Sequence, residues 1–120
     1  MAGTILSVDD SKSIRQMVSF VLTNAHYQVI EAEDGLDALK KINADVKLVL
    51  SDLNMPNMDG LELIKAIRAN PDTKFLPVIM LTTESQDDKK LAGKAAGATG
   101  WIVKPFNPEQ LIAVVRKILG

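Results

Sequence analysis

The sequence predicts an α/β fold in which five parallel strands form one sheet between two layers of helices, a (βα)5 three-layer sandwich. Three observations predict it. Short apolar, β-branched runs alternate five times with longer stretches at helical spacing, the signature of βα units on a parallel sheet. Three of the runs are nearly unbroken in their apolar character, as strands covered on both faces require. The helical stretches carry start signals of their own, and right-handed crossovers between parallel strands then place helices on both faces. Periodicity leaves the strand order open.

In chain order the strand candidates are Thr4 to Val8, Gln28 to Ala32, Leu48 to Ser51, Val78 to Leu81 and Gly100 to Val103. After the first, Asp10-Ser11 is a helix start, and Ile14, Met17, Val18, Val21 and Leu22 recur at the spacing of one apolar helix face. Ser7 interrupts the first strand and needs a hydrogen-bond partner if buried. His26 and Tyr27 read as a loop and the start of the second strand. Asn54-Met55-Pro56-Asn57-Met58-Asp59-Gly60, after the third run, is dense in residues that fix a tight loop, with Met55 and Met58 as local packing. The helix from about Gln86 to Ala96 has Leu91, Ala92, Ala95 and Ala96 as inward candidates and Gly93 inside it. Small side chains bury little area and a mid-helix glycine costs about 1 kcal/mol against alanine, so this helix is expected to shift most easily. The last helix opens Asn107-Pro108-Glu109-Gln110, a cap, a first-turn proline and a reciprocal cap, with Leu111, Val114, Val115 and Ile118 facing the sheet.

At 120 residues the chain is expected to be one domain spanning 1–120 with no output domain, since domains commonly run to roughly 100–150 residues. Its 47% hydrophobic and 24% charged residues fit an ordinary globular protein. Every apolar run falls short of the ~18–20 residues of a membrane span, so no membrane insertion is expected. Met1 to Thr4 shows no signal-peptide pattern, and the absence of cysteine excludes disulfides, thiolate nucleophiles and thiolate zinc sites. A cytoplasmic protein is expected. A formal net charge of -1 gives no general attraction for nucleic acid, and Lys40-Lys41 and Lys89-Lys90 read as solvated helix faces.

The informative residues stand at the ends of the apolar runs: Asp9-Asp10 after the first, Asp52 after the third, Thr82-Thr83 after the fourth and Lys104 after the fifth. In a parallel sheet these positions share the carboxyl edge, where open α/β folds bind ligands. A single Asp or Thr there is commonly a helix cap or loop residue, but Asp-Asp, Asp, Thr and Lys at four strand ends exceed what capping asks for. Carboxylates gathered away from bulk water need positive charge, which Lys104 and a divalent cation supply. Oxygen ligands, no cysteine and only His26 favour Mg2+ or Mn2+ over zinc. That combination suits phosphoryl transfer, with Asp52 as nucleophile at the mouth of a central strand.

The ordered set of Asp9-Asp10, Asp52 to Gly60, Leu81-Thr82-Thr83-Glu84 and Gly100-Trp-Ile-Val-Lys-Pro-Phe106 resembles receiver domains, specifically stand-alone chemotaxis response regulators of the CheY type, over essentially the whole chain. The resemblance implies a flavodoxin-like doubly wound sheet of order 2-1-3-4-5, an order the family itself exemplifies. It implies that Asp52 accepts a phosphoryl group from a CheA-like histidine kinase or a small donor such as acetyl phosphate. Asp10, Asp52 and the backbone carbonyl of Asn54 would bind Mg2+ directly and Asp9 through water. Thr82 would bond the phosphoryl group, Lys104, before a cis peptide at Pro105, would ion-pair with it, and Trp101 would be the aromatic switch. Tryptophan is less usual there than Tyr, Phe or His, and Thr83 stands where Ala is frequent. Asn54 and Glu84 resemble the pair that lets water reach the phosphate. The switching face would be the fourth helix, fifth strand and fifth helix. The resemblance implies a flagellar motor switch protein or another target, leaving motor control, a phosphate sink and a non-motility role all open, with a phosphatase as a possible further partner and a monomer as the expected state. Such a chain is a signalling switch and not an enzyme on external substrates.

Two other classes stay in view. A phosphohydrolase on the same chemistry would need an acid two residues after Asp52, where Asn54 stands. A flavodoxin-like cofactor binder would need a phosphate loop after the first strand, where Asp9-Asp10 would repel phosphate.

Overall fold

The computed structural model describes residues 3–83 and 87–120, with the side chains of Asp87 and Lys89 outside that description. The apolar run after Gly3 forms β1 (Thr4–Val8), and Ser11 caps α1 (Lys12–Asn24) by accepting from the Ile14 amide, which stops the strand and starts the helix. There follow β2 (Gln28–Ala32), α2 (Gly35–Lys41), β3 (Val46–Asp52), α3 (Gly60–Ala69), β4 (Val78–Thr83), α4 (Asp87–Ala96), β5 (Gly100–Lys104) and α5 (Pro108–Leu119). All pairings are parallel and the order is β2-β1-β3-β4-β5, the doubly wound sandwich of the sequence expectation.

Each central strand is buried on both faces because successive side chains serve different cores. Ile5, Leu48, Leu50, Ile79, Leu81 and Ile102 face α1 and α5, meeting Val18, Leu22, Leu111 and Val115. Leu6, Val8, Val49, Val78 and Met80 face the other layer, meeting Leu63, Ile64 and Ile67 of α3 and Ala38 of α2. Met55 and Met58 are packed against this second core, and buried Tyr27 belongs to the first, its hydroxyl donating to the Gly120 carbonyl at 3.1 Å. His26 turns the chain with φ of 74°.

Two expectations need correcting. The third, fourth and fifth strands run on through Asp52, Thr83 and Lys104, because the ladder continues as Asp52 opposite Leu81 and Thr83 opposite Lys104. The polar residues therefore end these strands instead of following them. In α4, Leu91, Ala92 and Ala95 point outward, with Leu91 73% exposed, while Gly93 is buried and Ala96 packs against the core. The Gly93 side of the helix faces Leu61 and Met80, whose atoms lie 3.8 and 4.0 Å from where a Gly93 Cβ would be. The inward face is thus smaller than the sequence suggests. Among the described residues no helix is long and apolar enough to cross a membrane.

Candidate functional site

The order β2-β1-β3 reverses the direction of winding between β1 and β3, which opens a crevice at their carboxyl ends. Asp9 and Asp10 leave β1 and Asp52 ends β3 on either side of it, with carboxylate oxygens of all three within 4.8 Å of one another. From the end of β5, Lys104 Nζ reaches to 3.1 Å from Asp52 Oδ1 and 3.5 Å from Asp9 Oδ2. The Lys104–Pro105 peptide is cis.

Each carboxylate is held differently. Asp9 is almost fully buried, and its Oδ1 accepts the Ser11 amide at 2.9 Å while Ser11 caps α1. Asp52 Oδ1 accepts both Lys104 and the Leu53 amide, the latter at 2.9 Å. Asp52 Oδ2 carries no hydrogen bond among the described residues, so one lone-pair face is open to an incoming electrophile. Asp10 is exposed at the rim. The hydroxyl of Thr82 is buried and, among the described residues, is the one buried side-chain polar atom without a partner.

The loop after Asp52 is clamped from three sides. Gly60 sits so close to β3 that a Cβ would lie 2.5 Å from the Asp52 carbonyl, so only glycine lets α3 start there. Asp59 and Glu62 form a reciprocal capping box at the same point. Asn57, with φ of 66°, donates from Nδ2 to Asp34 Oδ2 at 2.7 Å, and the Gly35 amide bonds the Met58 carbonyl. Asp34 caps α2, and the Asp37 amide, followed by Asn57, holds its carboxyl below the usual range. Asn54 is exposed on the clamped loop.

Burial pushes the Asp9 carboxyl up; the Ser11 amide opposes this, the charge of Asp52 adds to it and Lys104 works against it. Three carboxylates against one ammonium leave an excess of negative charge in a half-closed niche. An all-oxygen donor set with that excess fits a hard divalent cation such as Mg2+ or Mn2+.

The structure thus brings together Asp9, Asp10, Asp52 and Lys104, with Thr82 at the end of the strand between β3 and β5. Trp101 is opposite Met80 on β5 with 38% exposure, outside this cluster. Glu84 and the side chain of Lys89 lie outside the described residues. Sequence reasoning missed the Asp59/Glu62 box, although its spacing was legible, and the Asp34–Asn57 clamp. It also missed Arg15, which bonds the Asp9 carbonyl and pairs with Glu31, a tertiary contact with no local signal.

The profile of the response regulator receiver domain matches residues 5–116. The chain is 40% identical over 119 residues to the chemotaxis protein CheY1 of Helicobacter pylori, covering 97% of this chain and 96% of that protein. It is 41% identical to a chemotaxis protein CheY homolog of Campylobacter jejuni, covering 97% and 92% respectively. The structure of the chemotaxis response regulator CheY4 of Vibrio cholerae superposes with a TM-score of 0.92 at 51% identity, over 99% of this chain and 100% of that one.

Proposed function

The chain belongs to the response regulator receiver domain family and is CheY-like in sequence and fold, and from that premise we propose that it is a single-domain phospho-switch whose acceptor is Asp52. The observation that carries this is the convergence of the Asp9, Asp10 and Asp52 carboxylates on Lys104 at the sheet's switch point.

In the proposed reaction Asp52 Oδ2 attacks the phosphorus of a CheA-like kinase's phosphohistidine or of acetyl phosphate. The new O–P bond forms as the bond to the donor's imidazole nitrogen, or to its acetate oxygen, breaks, and the imidazole leaves with a proton. Asp9, Asp10, Asp52 and the Asn54 carbonyl would hold Mg2+ or Mn2+, Asp9 through water. Bound there, the ion supplies charge that neutralises the carboxylates and the phosphoryl oxygens. Lys104 exchanges its contact with Asp52 Oδ1 for the phosphoryl group. The buried Thr82 hydroxyl, without a partner among the described residues, donates to the same group.

A phosphoryl group brings about -1.5 to -2 charge, and drawing Thr82 and Lys104 toward it biases the face of α4, β5 and α5, with Trp101 following inward. That face then binds a flagellar motor switch protein, and a phosphatase or water ends the signal, with Asn54 and Glu84 setting water's access. The chain works as a cytoplasmic monomer and turns over only its own phosphoryl group.

The test is incubation with acetyl phosphate with and without Mg2+, following intact mass and the fluorescence of Trp101, the single tryptophan. Addition of one phosphoryl group and a fluorescence change, both Mg2+-dependent and both absent in Asp52→Asn, are expected. Modification that persists in Asp52→Asn would sink the assignment.

A further inference from the structure

Arg15, on the first turn and a half of α1, bridges the end of β1 and the edge strand β2. Its side chain is 16% exposed and its guanidinium makes two directed contacts: Nη1 donates to the backbone carbonyl of Asp9, and Nε donates to Glu31 Oε1 at 3.2 Å. Glu31 stands on the edge strand β2 and is itself fixed, its Oε2 accepting the Ser19 hydroxyl at 3.0 Å. Lys41 Nζ bonds the Glu31 backbone carbonyl at 2.7 Å. The other side of Asp9 is held by β2 as well, since its amide donates to the Ala32 carbonyl at 3.1 Å.

The carbonyl that Arg15 bonds belongs to the peptide joining Asp9 to Asp10. Fixing that plane fixes where the Asp10 N and Cα sit and leaves only its φ and side-chain torsions to aim the carboxylate, and Asp10 is exposed at the rim of the cluster. A guanidinium is suited to this because its planar fork serves two acceptors at once, which an ammonium does as a point charge only. It also brings a disadvantage: a permanent positive charge next to a niche for a cation. Glu31 removes that disadvantage by pairing with it.

We propose that Arg15, locked by Glu31, is a positioning residue for the divalent-cation site, fixing the Asp9–Asp10 peptide while Glu31 cancels the charge the guanidinium would set against the ion. The inference rests on the reading of the acidic cluster given above. It makes a prediction opposite in sign to simple electrostatics. Removing a cation beside a cation site should tighten binding if charge alone matters, whereas removing a positioning residue weakens it.

Calorimetric titration of the unphosphorylated chain with MgCl2 at about 0.02 M and about 0.5 M ionic strength separates the two, because the screening length shrinks several-fold between them. Arg15→Met is expected to weaken Mg2+ binding about ten-fold at high salt, as losing an outer-shell partner does, and less at low salt, where the lost positive charge partly offsets the loss. Glu31→Gln keeps an oxygen for Arg15 and exposes its charge. It is expected to weaken binding about five-fold at low salt and to approach the wild type at high salt. Arg15→Met binding as tightly as wild type, or more tightly, at high salt overturns the inference, as does a Glu31→Gln loss that ignores salt. If Arg15→Met fails to fold by circular dichroism, the isosteric Glu31→Gln carries the test. Asp10→Asn separates the premise: Mg2+ binding that survives in it sinks the cluster as a metal site, while binding lost there but unchanged in Arg15→Met sinks the role of Arg15 alone.

Discussion

Among the described residues the buried Thr82 hydroxyl finds no bond, and a buried hydroxyl in that condition costs about 1–3 kcal/mol. Such a group is retained against stability, which points to a bond made in another state. Replacing it by valine keeps the β-branched shape that β4 favours and removes the unbonded polar atom. Thr82→Val is therefore expected to raise the urea midpoint of the unphosphorylated chain, by about 1 kcal/mol in stability, and to lose the fluorescence response of Trp101 to acetyl phosphate and Mg2+. A variant less stable than wild type would mean that the hydroxyl already has a partner. The residues near it show the same division between readable and unreadable. Asp9, Asp10, Asp52 and Lys104 were legible because each ends or follows an apolar run, and a parallel sheet sends all such positions to one edge. Arg15 and Glu31 were not, since they are 16 positions apart and meet only once α1 lies across β2.

Among the elements, α1 and α5 followed from their stripes and caps, down to the reciprocal box of Asn107 and Gln110. Helix α4 followed only in position. Its sequence offers no clear apolar face, so nothing in periodicity distinguishes the Leu91 side from the Gly93 side, which in the fold lies over Leu61 and Met80. The same contact makes a prediction. A Cβ on Gly93 would lie at 3.8 to 4.0 Å from its nearest neighbours, ordinary contact, and the residue is in the middle of a helix. Gly93→Ala is expected to stabilise the chain by about 0.5–1 kcal/mol through lower backbone entropy of the unfolded state and better helix propensity. Hydrogen exchange should slow at the amides of Gly97 and Ala98, which bond the Gly93 carbonyl. Arg68, which donates to the Gly97 carbonyl at 3.0 Å and the Leu76 carbonyl at 2.6 Å, already pins the far end of this helix. A destabilised Gly93→Ala would show that α4 sits tighter on the sheet than these distances allow.

For the molecule as a whole, the niche at the sheet edge sets a conflict between folding and binding. Metal-free, the chain must hold three carboxylates within 4.8 Å of one another with Lys104 as the one bonded cation among the described residues. Burial pushes the Asp9 carboxyl up, and the charge of Asp52 adds to the effect. An acid whose pKa is higher in the folded than in the unfolded state destabilises the fold when ionised, and this loss is complete above the folded pKa and vanishes below the unfolded one. Asp9→Asn keeps an oxygen for the Ser11 amide and removes the charge. In EDTA at neutral pH it is expected to exceed the wild type by about 1–2 kcal/mol, or about 4–8 °C in Tm for a domain of this size. The gap should narrow as pH falls through the raised pKa of Asp9, because protonation then neutralises the wild type too. Excess Mg2+ should close it from the other side, since an ion that binds only the native state stabilises by RT ln(1 + [L]/Kd) and the variant has lost part of the charge that attracts it. Thermal melts of both proteins in EDTA and in Mg2+, at neutral and mildly acidic pH, measure all of this. If Asp9→Asn melts below the wild type in EDTA, Asp9 contributes more through Lys104 and Ser11 than repulsion and burial take away, and the charge at this edge would then be part of what holds β1, β3 and β5 together.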